Sequence, residues 1–262
     1  MTDEPPDLGF AEPAALFESP SQNARQWTEQ WAGAHLFCPN CAATRVEAFA
    51  RNRKVADFFC PICAEEYELK AQKGRFGRTV VDGALAAMRE RLIASNNPSL
   101  VLMNYDLTLL RVTDLFFVPR HFFVPEIIQA RPPLASTARR AGWIGCNIRL
   151  DQVPASGKIF YVRSGEIAPR DLVVEQWRRT LFLRGRPSEA RGWLIEVMKC
   201  VDELGPLVFD LADVYAFEGR LHALYPANRN VRPKIRQQLQ VLRDSGYLEF
   251  VGRGRYRVRS PA

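Results

Sequence analysis

Cys38-Pro39-Asn40-Cys41, then eighteen residues, then Cys60-Pro61-Ile62-Cys63 is the stretch on which the reading of this chain turns. Two Cys-x2-Cys clips at this separation match a four-thiolate zinc site, because a tetrahedral ion needs two short loops brought together. Four thiolates close the coordination shell, so Cys38, Cys41, Cys60 and Cys63 predict a structural Zn²⁺ with no open position for substrate. Asp57 stands just before the second clip and Glu68-Leu69-Lys70 just after it. The segment Val55-Ala56-Asp57-Phe58-Phe59 reads as one strand and Tyr67-Glu68-Leu69-Lys70 as another. Residues two apart in a strand share a face, so Glu68 and Lys70 point the same way. Zinc at the tip of this pair would hold Asp57 opposite Glu68 although ten residues separate them.

Asp57, Glu68 and Lys70 also have the types and order of the PD-(D/E)xK motif of metal-dependent nucleases, with Ala56 where a proline often precedes the first acid. Two carboxylates can hold Mg²⁺, which keeps several waters and takes phosphate oxygens as further ligands. Lys70 can orient or help deprotonate an attacking water and offset developing charge. Acidic-x-Lys triples are common, and the plain alternative is a surface strand carrying an ion pair.

The 262 residues are 47% hydrophobic and 25% charged, which fits one large or two modest folded domains rather than a disordered chain. No apolar run is long enough for a membrane span, and the N-terminus lacks a signal-peptide pattern. Cysteines in zinc spacing suit a reducing cytoplasm, with Cys146 and Cys200 left over as core residues. The net charge of +7 is uneven. Residues 1–22 hold five acids, four prolines and no Lys or Arg, and residues 1–20 are expected to be a flexible acidic leader. From Arg229 onward nine basic residues face only Asp244 and Glu249, a local excess of +7 that suggests a polyanion partner.

Pattern divides the rest. A helix is expected over Ser21–Ala34, another over Thr79–Ser95 with Val81, Leu85, Met88 and Leu92 on its buried side, and strands over Ser99–Tyr105, Val112–Val118 and Ile159–Val162. Interleaved strands and helices make residues 21–183 a mixed α/β domain with a central sheet. Arg139 and Arg140 beside Gly142-Trp143-Ile144-Gly145 read as an exposed loop with one large aromatic at its tip. Residues 184–190, with Gly185, Pro187 and Ser188, are the expected linker. Over 191–262, helices at Trp193–Leu204, Asp210–Leu224 and Asn230–Ser245 precede a hairpin around Gly252-Arg253-Gly254, the pattern of a winged helix-turn-helix. Lys234, Arg236, Gln237 and Gln238 are its candidate base-edge and phosphate contacts, and Arg253 and Arg255 its wing contacts to phosphate.

These residues together resemble the Dpn-type methyl-directed restriction endonucleases, which cut duplex GATC when its adenine carries an N6-methyl group. The likeness rests on both Cys clips, Val55-Ala56-Asp57-Phe58 and Glu68-Leu69-Lys70. Thr137-Ala138-Arg139-Arg140-Ala141-Gly142-Trp143-Ile144-Gly145-Cys146, Lys234-Ile235-Arg236-Gln237-Gln238-Leu239 and Gly252-Arg253-Gly254-Arg255-Tyr256 complete it. The resemblance implies a PD-(D/E)xK nuclease domain followed by a winged helix, both reading methylated double-stranded DNA. It implies Mg²⁺ dependence, a structural zinc and cleavage by a monomer. Asp57, Glu68 and Lys70 are then catalytic, and Trp143 is the aromatic that meets the adenine methyl groups. Two other classes remain open on residues alone: a zinc-containing DNA-binding regulator without catalysis, and a repair nuclease that reads DNA shape.

Overall fold

The structure, a computed structural model, describes residues 6–10, 19–50, 56–205 and 208–259. Helix α1 (Pro20–His35) leads into the first Cys clip, strand β1 (Glu47–Ala48), strand β2 (Phe58–Phe59) and the long strand β3 (Glu66–Lys73). Strand β4 (Thr79–Ala84) runs directly into α2 (Leu85–Ala94). Then come β5 (Ser99–Asp106), β6 (Arg111–Val118), β7 (Ile128–Ala130), β8 (Gly145–Arg149), β9 (Ile159–Arg163), β10 (Glu166–Ile167) and α3 (Arg170–Arg178). The C-terminal region contributes α4 (Ser188–Leu204), β11 (Phe209–Asp210), α5 (Leu211–Tyr215), α6 (Glu218–Leu224), α7 (Val231–Asp244), β12 (Leu248–Gly252) and β13 (Arg255–Val258).

A seven-stranded mixed sheet, ordered β1-β2-β3-β5-β6-β9-β10, forms the centre, with β3 and β5 its parallel pair. Seven of the eight residues of β5 are buried, as expected of a strand covered on both faces. Alternation sends Leu100 and Leu102 into one core and Val101 and Met103 into the other. The second core lies under α1 and α3, around Trp31, Phe37, Phe117 and Trp177. The first core runs beneath a small sheet, β4-β8-β7, and continues without a break into the C-terminal helices through Trp193, Val197, Ile235 and Leu239.

Several expectations need correction. Residues 79–84 are strand rather than the first turns of a helix, because Thr79, Val80 and Val81 are β-favouring and pair with β8. Val81 is 60% exposed, whereas Leu85, Met88 and Leu92 are buried on α2. Of the strand expected at 55–59 only Phe58–Phe59 pairs, and Val55 lies outside the described residues. Residues 6–10 of the expected loose leader pack on the domain: Leu8 is buried, Trp31 Nε1 donates to the Asp7 carbonyl at 2.9 Å, and Phe10 stacks on Trp27. The helix expected over 210–224 is two helices, α5 and α6, opened where the Asp210 N–H donates to the Asp213 carboxylate at 2.7 Å.

The linker expected at 184–190 is short, since Leu183 is fully buried and α4 begins at Ser188. Across this joint the Ala155 N–H donates to Asp202 at 2.7 Å and Arg191 Nη2 to the Phe123 carbonyl at 3.2 Å. Helix α7 ends at Gly246 (φ +76°), with Gly246 N–H to Arg243 O and Tyr247 N–H to Leu242 O, both at 2.9 Å. This is a Schellman termination, and it turns the chain into the wing. The wing has three strands, since β11 pairs with β13 beside β12. No helix among the described residues is long and apolar enough to cross a membrane.

Candidate active site and nucleic-acid interface

The two Cys clips fold alike. Ala42 N–H returns to Cys38 O and Ala64 N–H to Cys60 O, both at 2.9 Å, with Ala42 and Ala64 at positive φ. Their four Sγ atoms lie within 4.8 Å of one another, the Cys38–Cys63 and Cys41–Cys60 pairs at 3.5 Å. A zinc–sulfur bond of about 2.3 Å sets tetrahedral sulfurs about 3.8 Å apart, so the cluster is able to hold zinc. Burial pushes the Cys38 thiol up, and the Cys41 thiol to about 11, which a bound cation would reverse. Sulfur-directed contacts complete the cage. Tyr67 Oη lies 3.1 Å from Cys38 Sγ, and Asn40 Nδ2 donates to Cys63 Sγ at 3.2 Å. Asn40 is itself oriented by Trp177 Nε1 at 3.1 Å.

Tyr67 and Glu68 are neighbours on β3, so the metal cage and the candidate chemistry share one strand. Tyr67 points into the α1/α3 core, and Glu68 and Lys70 point to the other face. Where the β2–β3 pairing ends, the side chain of Asp57 takes the next ladder donor, the Leu69 N–H, at 2.8 Å. Asp57, Glu68 and Lys70 therefore line one cleft of about 560 Å³, as their spacing predicts. Arg25 of α1 reaches Asp57 at 3.5 Å, but its side chain is 72% exposed, so solvent weakens that pair.

Sequence reasoning missed Asp82. Lys70 Nζ lies 2.6 Å from Glu68 Oε1 and 2.9 Å from Asp82 Oδ1, so β4 delivers a second carboxylate to the lysine. The available signal was the run Thr79-Val80-Val81 ahead of Gly83, which reads as strand once the helix is started at Leu85. Burial raises the carboxyl of Glu68, with Lys70 opposing and Asp82 adding to the rise. Burial likewise raises Asp57. Lys70 is lowered by burial, but Glu68 and Asp82 outweigh this and hold it above the ordinary lysine range. Partly buried carboxylates held together in this way are the donors that a hard divalent cation takes.

The residues singled out for DNA fall into groups. Arg139 and Arg140 are exposed, with the Arg140 guanidinium 5.2 Å from the Trp143 ring. Trp143 is half-buried, set against Gly145, where an added Cβ would come within 2.8 Å of two ring carbons. Its loop feeds β8, and Cys146 of β8 pairs with Asp82 of β4. The aromatic loop thus shares a three-stranded sheet with the carboxylate that holds Lys70. On α7, Arg236 and Gln237 are exposed and Lys234 is half-buried, its Nζ 2.9 Å from Gln237 Oε1. Gln238 corrects the expectation, being only 5% exposed beside Leu239, because the buried stripe Val231, Ile235, Leu239, Leu242 is wide enough to include it. Arg253 and Arg255 are exposed on the wing, Arg255 lying 3.5 Å from Asp210.

Two family models match. The DpnI, Dam-replacing family matches residues 11–186, and the Dam-replacing HTH domain matches residues 189–258. The boundary falls where Leu183 is buried and α4 begins. A match of this extent over both regions means that the chain belongs to the DpnI, or Dam-replacing, family of DNA-binding, restriction-type endonucleases.

Proposed function

We propose that this protein is a methyl-dependent type II restriction endonuclease that cleaves double-stranded GATC bearing N6-methyladenine, by Mg²⁺-dependent phosphodiester hydrolysis. The observation that carries this reading is the convergence of Asp57, Glu68 and Lys70 in one cleft, in a chain of the Dam-replacing family. Asp57 and Glu68 would hold Mg²⁺, which when bound polarises the scissile phosphate and neutralises charge on the pentacovalent transition state. Lys70 aims its ammonium at the attacking water and the developing charge. Asp82 acts through Lys70 as a positioning residue, fixing an otherwise mobile four-carbon stem.

Trp143 is assigned to the methyl groups and Arg139 and Arg140 to the flanking phosphates. An N6-methyl projects into the major groove, where contact with an apolar ring contributes about 0.8 kcal/mol per methyl, a few-fold preference. Strong methyl dependence therefore requires both methyls of the palindrome, and reading by the winged helix as well. Arg236, Gln237 and the wing arginines supply the second reader. One active site in a monomer cuts the two strands in succession.

The test is incubation of the purified protein with Mg²⁺ and matched methylated and unmethylated GATC plasmids. Selective linearisation of the methylated plasmid is expected, lost by about 10²–10³-fold in Asp57→Asn, Glu68→Gln and Lys70→Ala. Preference for the unmethylated plasmid would end the methyl assignment. Absence of cutting with every divalent metal would end the enzymatic one.

A further inference from the structure

Away from the carboxylate cleft, a cavity of about 70 Å³ lies at the joint between the two regions. It is lined by Asn97 after α2, by Arg120 and His121 after β6, by Arg184 and Gly185 before α4, and by Arg191 in the first turn of α4. Four of the residues that line it each carry a buried side-chain atom without a hydrogen-bond partner: Arg184 Nε, Arg191 Nε, His121 Nδ1 and Asn97 Oδ1. Asn97, His121 and Arg191 are no more than 5% exposed. Unpaired buried polar atoms are uncommon and costly, and four around one cavity call for an occupant.

Charge selects the occupant. The cavity wall carries three guanidiniums, which stay protonated in proteins. The carboxylate that meets them is Glu65, which Arg184 reaches at 2.9 Å and Arg120 at 3.6 Å. Arg191 spends its terminal nitrogens on the carbonyls of Arg186 and Phe123. Among the described residues Arg191 is thus left without a carboxylate while only 5% exposed, and Arg120 and Arg184, their side chains 33% and 32% exposed, share one. A buried charge without a counter-ion is unfavourable. Hydrogen-bond polarity narrows the choice further. Thr180 gives its hydroxyl proton to Trp177 O at 2.7 Å, so His121 Nε2 donates to Thr180 Oγ1 at 2.8 Å and Nδ1 is left as an acceptor. The arginine Nε–H groups are donors, and Asn97 Oδ1 is a second acceptor. An occupant must therefore be anionic, accept from two arginines and donate to His121 or Asn97. The space is several times the roughly 10–15 Å³ that one water needs.

We propose that this cavity binds one small protonated oxyanion, of which hydrogen phosphate is the type, and that the ion ties the nuclease region to the winged helix. Residues from both sides of the joint meet at it: Arg120 and His121 on one side, Arg191 on the other. The site takes a free ion rather than a duplex phosphodiester, whose flanking sugars exceed the cavity. It is independent of the chemistry assigned to Asp57, Glu68 and Lys70.

The experiment is thermal unfolding of the full chain, without Mg²⁺, in rising inorganic phosphate against sodium chloride of equal ionic strength. Equilibrium dialysis with radiolabelled phosphate supplies the stoichiometry. A saturable rise of roughly 5–10 °C is expected at a hundredfold excess over Kd, with one ion bound per chain. Asn97→Asp places a carboxylate among the arginines. It should unfold at a higher temperature in chloride and lose the phosphate increment. No stabilisation beyond chloride would overturn the proposal and leave the cavity to water. The same increment and stoichiometry in Asn97→Asp would overturn it too, by moving the binding to the exposed basic surface.

Discussion

Replacing Asp82 by Asn probes the residue that only the folded chain reveals. Asn keeps the shape and an oxygen that can accept from Lys70, but removes the charge 2.9 Å from Nζ. A hydrogen bond involving a charged group contributes about 1.5–3 kcal/mol and a neutral one about 0.5–1.5 kcal/mol. Exchanging the carboxylate for an amide should therefore lose roughly 1–1.5 kcal/mol of positioning, about a five- to tenfold fall in rate. Asp82→Ala, which deletes the contact, should cost about 10- to 150-fold. Both remain milder than Lys70→Ala, because Glu68 still holds the ammonium at 2.6 Å. The assay is single-turnover cleavage of a methylated duplex at saturating Mg²⁺ from pH 6 to 9. Asp82 helps to raise both Lys70 and Glu68, so Asp82→Asn should move both limbs of the pH–rate profile to lower pH. A purely architectural role would lower stability without moving those limbs. An unchanged rate together with an unchanged profile would refute the positioning role.

Tyr67→Phe removes the hydroxyl beside Cys38 Sγ and should weaken zinc about 10- to 100-fold, read by competition with a chromogenic chelator. His121 is depressed well below the ordinary histidine range, first by burial and then by Arg184, Arg191 and Arg120. Below about pH 6.5 the unfolded chain takes up a proton that the native state refuses, so stability falls as pH falls. In His121→Gln that slope should be shallower by up to about 1.4 kcal/mol per pH unit, measured by urea unfolding in chloride buffers between pH 5 and 6.5. Arg253→Ala should weaken binding to all duplexes alike and reduce the salt-dependence slope by about one, whereas Gln237→Ala should act on sequence preference.

Much of the site is legible in the chain because it is encoded by short separations. A Cys-x2-Cys clip is a local turn, and the Glu68-x-Lys70 spacing is strand alternation. The α7 stripe is helical periodicity, and Gly246 ends that helix. Even the opposition of Asp57 and Glu68 follows from one short antiparallel pairing. The misreadings lie where a local pattern admits two answers. Val81, Leu85, Met88 and Leu92 suit one helix face as well as a strand followed by a helix, and pairing with β8 settles it. Gln238 looks solvent-facing from its polarity, but the width of the contact between α7 and the core buries it.

The sequence by itself determined the four-cysteine cluster, the grouping of Asp57, Glu68 and Lys70, the aromatic loop and the helix-and-wing order of the C-terminal region. Each depends on residues close enough in the chain for backbone geometry to fix their relation. Only the tertiary structure decided that Asp82 holds Lys70, that residues 6–10 pack on the domain, and that one core runs through the joint at Leu183. These relations join segments whose separation in the chain carries no geometric information. Side-chain burial and strand pairing choose among the many registers that the local patterns allow.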